Sequence, residues 1–165
     1  ITTTTEDISQ KNCAKLVGRC FAQATNSDLA LVSLGTWISG NGLDQNNDGV
    51  SGKLYTKDIT DYDICTILPT GWSQTIQTVR LTGKQIQDLY KEGYDAVGTG
   101  NNYSYILVSP IKLEEDKTYQ VAISGISDKL KSEMEVTDSG IVGIDAAKEF
   151  FGKFKTLSEA DAEWK

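Results

Sequence analysis

The chain has 165 residues, with 16 basic and 23 acidic side chains and a formal charge of −7. Length and 39% apolar content fit one domain with a real core. No apolar run approaches the ~20 residues of a bilayer crossing, the acidic balance argues against a nucleic-acid partner, and the absence of histidine excludes Ser-His and Cys-His nucleophiles, imidazole acid–base chemistry and most catalytic zinc sites.

The first residue is Ile1 and the single methionine is Met134, which points to a processed chain or a piece of a larger protein. Residues 1–6, with four consecutive threonines, read as a linker into a domain spanning 7–157. From about Ile8 to Thr25, Cys13, Leu16, Val17, Cys20, Phe21 and Ala24 recur at the spacing of one helical face. Asp28 to Leu34 is a short apolar run, expected as a buried strand. Gly35 to Gly52 is polar, holds five glycines and reads as a long loop, a length that points to function or disorder. Ile59 to Leu68 reads as a short helix, capped by Thr60 with Asp63 and ended by Pro69. Thr75 to Leu81 is strand-like, and Thr82 with Gln85 has capping-box spacing for a helix to Glu92.

Tyr94 to Asn102 is a Gly/Asn-rich loop. Strands are expected at Tyr103–Ser109 and Thr118–Ser124, joined by the charged connection Pro110–Lys117. Gly125 to Met134 fits a helix or a loop, and Asp145 to Phe154 a helix. The stretch 158–165 reads as an acidic, frayed tail. The three cysteines, Cys13, Cys20 and Cys65, make no complete disulfide framework. Cys13 and Cys20, seven apart on one helix, are separated by roughly 10 Å of rise, too far for a bridge. Buried free thiols are the simpler expectation. The order of elements predicts an α/β (α+β) domain with one mixed sheet flanked by helices.

Three stretches lie in the order found in the C-terminal domain of the 5'-nucleotidase family. Ser27-Asp28-Leu29-Ala30-Leu31-Val32, after the opening helix, resembles the family's strand leading to an Asn-x-Gly-Gly-x-Arg turn. Ile59-Thr60 through Asp63, Thr66 and Leu68-Pro69 resembles the helix running into Pro-Phe-Gly-Asn. Val79-Arg80-Leu81-Thr82-Gly83-Lys84-Gln85-Ile86 is similar to the family's Leu-Thr-Gly strand-to-helix turn. Asp116 to Ala122 resembles its late strand. The resemblance implies a substrate-binding domain, with catalysis by two divalent metals in a separate N-terminal metallophosphatase domain. It also implies a periplasmic, secreted or cell-surface setting.

The departures fall on the ligand positions. Ile38 stands where the turn's arginine belongs, and Gly35 is retained. Thr70 replaces the phenylalanine that resembles a base-stacking platform, and Trp72 replaces the asparagine. The chain's two arginines, Arg19 and Arg80, lie inside predicted elements, and lysine does not reproduce a bidentate grip on phosphate. The family's closing Gly-Gly-Asp-Gly stretch has no clear counterpart. Trp37 and Trp72, in the two ligand-side loops, offer large faces for stacking a base or sugar, or simply fill space left by the missing Arg and Phe. The expected ligand set is therefore Trp37, Trp72, Thr70 and Gly35, in a degenerate nucleotide site.

Asp44-Gln45-Asn46-Asn47-Asp48-Gly49 has the opening of an EF-hand-like loop. Asp44, Asn46, Asp48 and the Val50 carbonyl are the candidate calcium ligands. Tyr55 stands at the twelfth position, so closure needs another donor such as Asp58; the alternative is a solvated turn. Asp61 with Asp63, and Glu114 with Glu115 and Asp116, lie where acids cap helices or solubilise turns, so they are not expected to act as catalytic pairs. The expected function is a non-catalytic accessory or ligand-binding domain. The alternatives are the substrate-recognition domain of an active nucleotide phosphohydrolase, or a structural surface module.

Overall fold

The computed structural model describes residues 1–35, 37–38, 42–43, 49–50, 52–68, 74–95, 102–125 and 128–165. Its elements are β1 (Thr2–Thr4), α1 (Gln10–Ala24), β2 (Leu29–Ser33), β3 (Trp37–Ile38), β4 (Gly42–Leu43), β5 (Asp58–Ile59), α2 (Asp61–Ile67), β6 (Thr75–Thr82) and α3 (Gly83–Glu92). They continue with β7 (Tyr94–Asp95), β8 (Asn102–Tyr103), β9 (Tyr105–Val108), β10 (Thr118–Ile123), α4 (Asp128–Glu133), β11 (Val136–Val142), α5 (Gly143–Phe151) and β12 (Thr156–Leu157), and a 3-10 turn covers Glu159–Ala162.

The main sheet has the order β11-β6-β10-β2-β9. Only β10 and β2 run parallel, with Val121, Ala122 and Ile123 opposite Leu29, Ala30 and Leu31. Every residue of β2 is buried, because the sheet carries helices on both faces and a central strand then has no polar side. Ala30 and Val32 face α1 and α5 in one core, while Leu29 and Leu31 join Val79, Leu81, Tyr119 and Ile86 in the other. This alternation is the period-two geometry of a strand. The helix α1 lies close on the sheet because Gly18 faces Val108 and Val32, where an added Cβ would meet Val108 Cγ2 at 2.7 Å.

The helix starts follow local chemistry. Thr60 caps α2 with Asp63, and Thr82 caps α3 with Gln85, both as reciprocal capping boxes. Cys13, Cys20 and Cys65 are free and buried. Arg19 sits in α1 and Arg80 in β6.

Several elements differ from expectation. The threonine run is not a linker: Thr2–Thr4 is the middle strand of a second mixed sheet, order β12-β1-β5. Thr2 and Thr4 are buried and donate their hydroxyls to the Phe154 and Tyr55 carbonyls, both at 2.7 Å. Threonine is β-branched and favours a strand once its hydroxyl finds an acceptor. The domain is accordingly built on two sheets and not one. The acidic tail is not frayed, because the Asp161 carboxylate accepts from Ser158 N at 2.8 Å, Ala162 is buried and Lys15 pairs with Glu163 at 2.9 Å.

The strand β11 was not expected, since Thr-Asp-Ser-Gly lacks an apolar period. It is an edge strand with a register shift between Asp138 and Val142. Asp138 accepts from Gly140 N at 2.8 Å, and Gly140 has φ +72. Such a bulge blunts an edge against pairing with other chains. Finally, the long polar loop holds a short antiparallel pair, β3 with β4.

Carboxylates accepting backbone N–H groups staple this structure, and they set its acid response. Asp7 is held below the ordinary aspartate value of 3.8 by the Thr56 N–H, and Asp138 by that of Gly140. Burial raises Asp63, but the Lys57 ammonium and Thr60 outweigh it and the net direction is down. Lowered carboxyl values mean stability that is present above the ordinary carboxylate range and lost as pH falls through the folded values. The urea midpoint is therefore expected to hold from pH 7 to 5 and to fall below pH 4; a midpoint unchanged at pH 3 would contradict these staples.

Candidate ligand site at one edge of the sheet

The strand directions bring the loops singled out by sequence to one edge. Because β2 and β10 are parallel and their neighbours antiparallel, β2, β10 and β11 end at this edge while β6 and β9 begin there. The segment 35–50 starts at this edge after β2, Gln74 precedes β6 and Asn102–Tyr103 precedes β9. The segments bearing Trp37, Thr70 and Trp72 are thus attached to the same edge. The carboxyl ends of parallel strands in an open α/β sheet are where ligands bind, because the chain diverges there and leaves a crevice.

Two serines meet at this edge. Ser33 N donates to Ser124 Oγ at 3.3 Å, joining the last residue of β2 to the residue after β10. Ser33 is fully buried and its Oγ has no hydrogen-bond partner among the described residues. A buried hydroxyl without a partner costs about 1–3 kcal/mol, so its presence invites a function. Beside it the buried Tyr105 donates its hydroxyl to the Gly125 carbonyl, tying the start of β9 to the chain leaving β10.

The neck of the 35–50 loop is closed by backbone and by one side chain. Leu34 bridges Val50, Val50 N donates to Ser33 O at 2.8 Å, and Gly35 N donates to Val50 O at 2.8 Å. Gln10, the first residue of α1, donates Nε2 to Gly35 O at 2.9 Å and to Val50 O at 2.8 Å.

Of the expected ligand residues, Gly35 lies in the neck just described. Trp37 pairs through its backbone with Leu43 in the β3–β4 hairpin. Thr70 and Trp72 lie outside the described residues, as do Asp44, Asn46 and Asp48 of the candidate calcium loop. Val50 is described: its carbonyl accepts from both Gly35 N and Gln10 Nε2. Asp58, the suggested closing donor, accepts instead from Thr3 Oγ1 at 2.7 Å.

Arg80 lies five residues along β6 from Thr75, the strand's first residue at this edge, roughly 17 Å at strand rise. It does not replace the guanidinium missing at Ile38. Asp61 pairs with Lys148 at 2.9 Å and Asp63 caps α2, the structural roles expected of them. Burial pushes the Cys13 and Cys20 thiols up to about 12, so neither is a nucleophile near neutral pH.

Gln10, Ser33, Ser124 and Tyr105 were not singled out by sequence. A polar Ser33 closing the apolar run Leu29–Val32 was the one available signal. Tyr105 and Ser124 reach it only through pairing of strands distant in sequence, and Gln10 through a helix side chain.

The fold has known counterparts. No family sequence profile and no curated protein sequence matches the chain. Among solved structures, a 5'-nucleotidase precursor from Thermus thermophilus superposes with a TM-score of 0.63 at 14% identity, over 95% of this chain and 37% of that one. The NAD nucleotidase of Haemophilus influenzae gives 0.58 at 11%, over 90% of this chain and 31% of its own. A Staphylococcus aureus protein assigned as a 5'-nucleotidase, solved with α-ketoglutarate, gives 0.56 at 10%, over 93% and 38%. The chain has the fold of a part of these proteins and spans about a third of their length.

Proposed function

We propose that this chain is a non-catalytic ligand-recognition module of a larger nucleotidase-like protein, in which the nucleotide grip has changed. The observation that supports the reading is that β2 and β10 end on the same side of the main sheet, where the segment bearing Trp37 begins and the buried Ser33 hydroxyl has no partner among the described residues. Stacking aromatics and a buried hydroxyl suit a nucleoside or sugar, which presents a flat or ring face and hydrogen-bonding edges. Without an arginine at Ile38, a bound phosphate loses its forked partner. The affinity that remains comes from the base or sugar.

Catalysis by the two divalent metals of the resembling family does not fit these residues. The chain has no histidine, and among the described residues no three of His, Cys, Asp and Glu gather as a metal site. Such chemistry belongs to a preceding metallophosphatase domain. This partner and a periplasmic, secreted or cell-surface location are part of the proposal. Among the described residues no helix is long and apolar enough to cross a membrane. A second reading, the substrate-recognition domain of an active phosphohydrolase, is favoured by the fraction of the nucleotidases that the chain spans. Under both readings the chain alone releases no phosphate from AMP; release would overturn the division of labour.

The test is a fluorescence titration with AMP, adenosine, other nucleosides and simple sugars. Quenching by one class is expected, and silence with every member sinks the proposal. Ser33→Ala gives the sharper result. Removing an unpartnered hydroxyl is expected to leave stability equal or raised by about 1 kcal/mol, while binding weakens about tenfold. Unchanged binding in Ser33→Ala removes Ser33 from the site.

A further inference from the structure

We infer that Gln10 is the positioning residue of this edge: its single amide holds both ends of the 35–50 loop and so places whatever the loop presents. Gln10 Nε2 donates at 2.9 Å to Gly35 O and at 2.8 Å to Val50 O, using both of its N–H bonds on the two strands of the neck. The acceptors are not otherwise equivalent. Val50 O also takes Gly35 N, whereas among the described residues Gly35 O accepts from Gln10 alone. The neck therefore has backbone bonds from Val50 inward to Ser33, and Gln10 ties the outgoing end to helix α1.

That helix end is itself fixed. Ser9 caps α1 through Asn12 N at 3.2 Å, and Ser9 N donates to Glu159 Oε1 at 2.7 Å. Glu159 N in turn donates to Glu6 Oε1 at 2.9 Å. The amide is thus aimed at the neck from a turn anchored by both terminal segments. For the ligand the loop serves, the inference rests on the proposed function; the positioning of the neck stands on this geometry by itself.

Three variants separate a clamp from a helix-start role. Gln10→Ala removes the donors. Gln10→Glu keeps the shape but offers no donor when ionised, and an acid in the first turn of a helix that has none favours the helix. Gln10→Lys restores N–H donors on a longer stem. Native-state hydrogen exchange of the 165-residue chain is read at Gly35 and Val50, with Leu31 and Val121 as internal references. Gln10→Ala and Gln10→Glu are expected to speed exchange at Gly35 and Val50 about tenfold, the effect of losing two ordinary hydrogen bonds, while the references hold. Gln10→Lys recovers most of the protection.

A role confined to starting α1 predicts the opposite for Gln10→Glu: protection kept or raised at every amide. That result overturns the inference, as does equal loss at all four amides in Gln10→Ala. Titration with AMP separates the two claims. If AMP quenches wild type, Gln10→Ala is expected to weaken it about tenfold by misplacing the loop. If AMP, the nucleosides and the sugars all leave wild type silent, the proposed function falls, and the exchange experiment still decides Gln10.

Discussion

Gly83→Ala is expected to destabilise the chain by about 3 kcal/mol or more, although alanine is the better helix former by about 1 kcal/mol. The reason is what a Cβ would meet. It would lie 2.1 Å from the Glu114 carbonyl oxygen, 2.8 Å from its carbon and 3.3 Å from Glu115 Cα. These are backbone atoms in a turn bolted to the start of α3. Gly83 N donates to Lys117 O at 2.9 Å, and Lys84 N to Glu115 O at 3.1 Å. Glu114 N donates to Tyr119 Oη at 2.9 Å. The turn cannot retreat without losing bonds that satisfy the first N–H groups of the helix. Relief therefore requires shifting β6 against α3, which reaches the core around Ile86 and Leu81. Gly52→Ala is the control, since its Cβ would meet only Ile67 Cγ2, at 4.0 Å, and a change within about 0.5 kcal/mol is expected there. Urea unfolding of the two variants measures the contrast; near-equal midpoints would show that the turn yields.

Phe151→Ala is expected to cost about 3–5 kcal/mol, the range for emptying a buried aromatic site. Phe151 is fully buried and meets Phe150 edge-on, with ring centroids 5.4 Å apart and planes at 90°. It belongs to the core that joins α1, α2 and α5 to one face of the main sheet. A domain of this size typically has about 5–15 kcal/mol of total stability, so the loss is a large share of it. Thermal unfolding is expected to drop by roughly 6–20 °C. Phe154→Ala, at a partly buried position against the same cluster, is expected to cost less. A Phe151 variant as stable as the Phe154 one would mean that the core collapses around the vacancy.

The helices were legible because their signals are local. Period, cap and stop all sit within a few residues in Thr60–Asp63 and Thr82–Gln85, and both capping boxes form as read. Strand β2 was legible because burial on both faces writes itself as an uninterrupted apolar run. The resemblance to a nucleotidase C-terminal domain, made on scattered motifs, agrees with the solved structures at the level of fold, where identity is only 10–14%. Gly83 shows what such a motif records: a close approach between two backbones, which only the smallest residue permits.

The candidate site was far less legible. Its loops could be named, but its other residues could not, because Ser33, Tyr105 and Ser124 are brought together by strand pairing and Gln10 by a helix side chain that reaches Gly35 and Val50. Likewise Thr2–Thr4 carries no apolar pattern, and it is a strand only because β5 and β12 arrive on either side with acceptors for its hydroxyls. By itself, then, the order of residues determined the capped starts of α2 and α3, that β2 is buried, and that no histidine chemistry operates here. Tertiary structure alone decided that the chain's two ends share a sheet, that β11 closes an edge, and that β2 and β10 end on the same side of the main sheet. Local signals depend on neighbours a few residues away, whereas strand pairing and burial join residues dozens apart, whose meeting no short window of sequence contains.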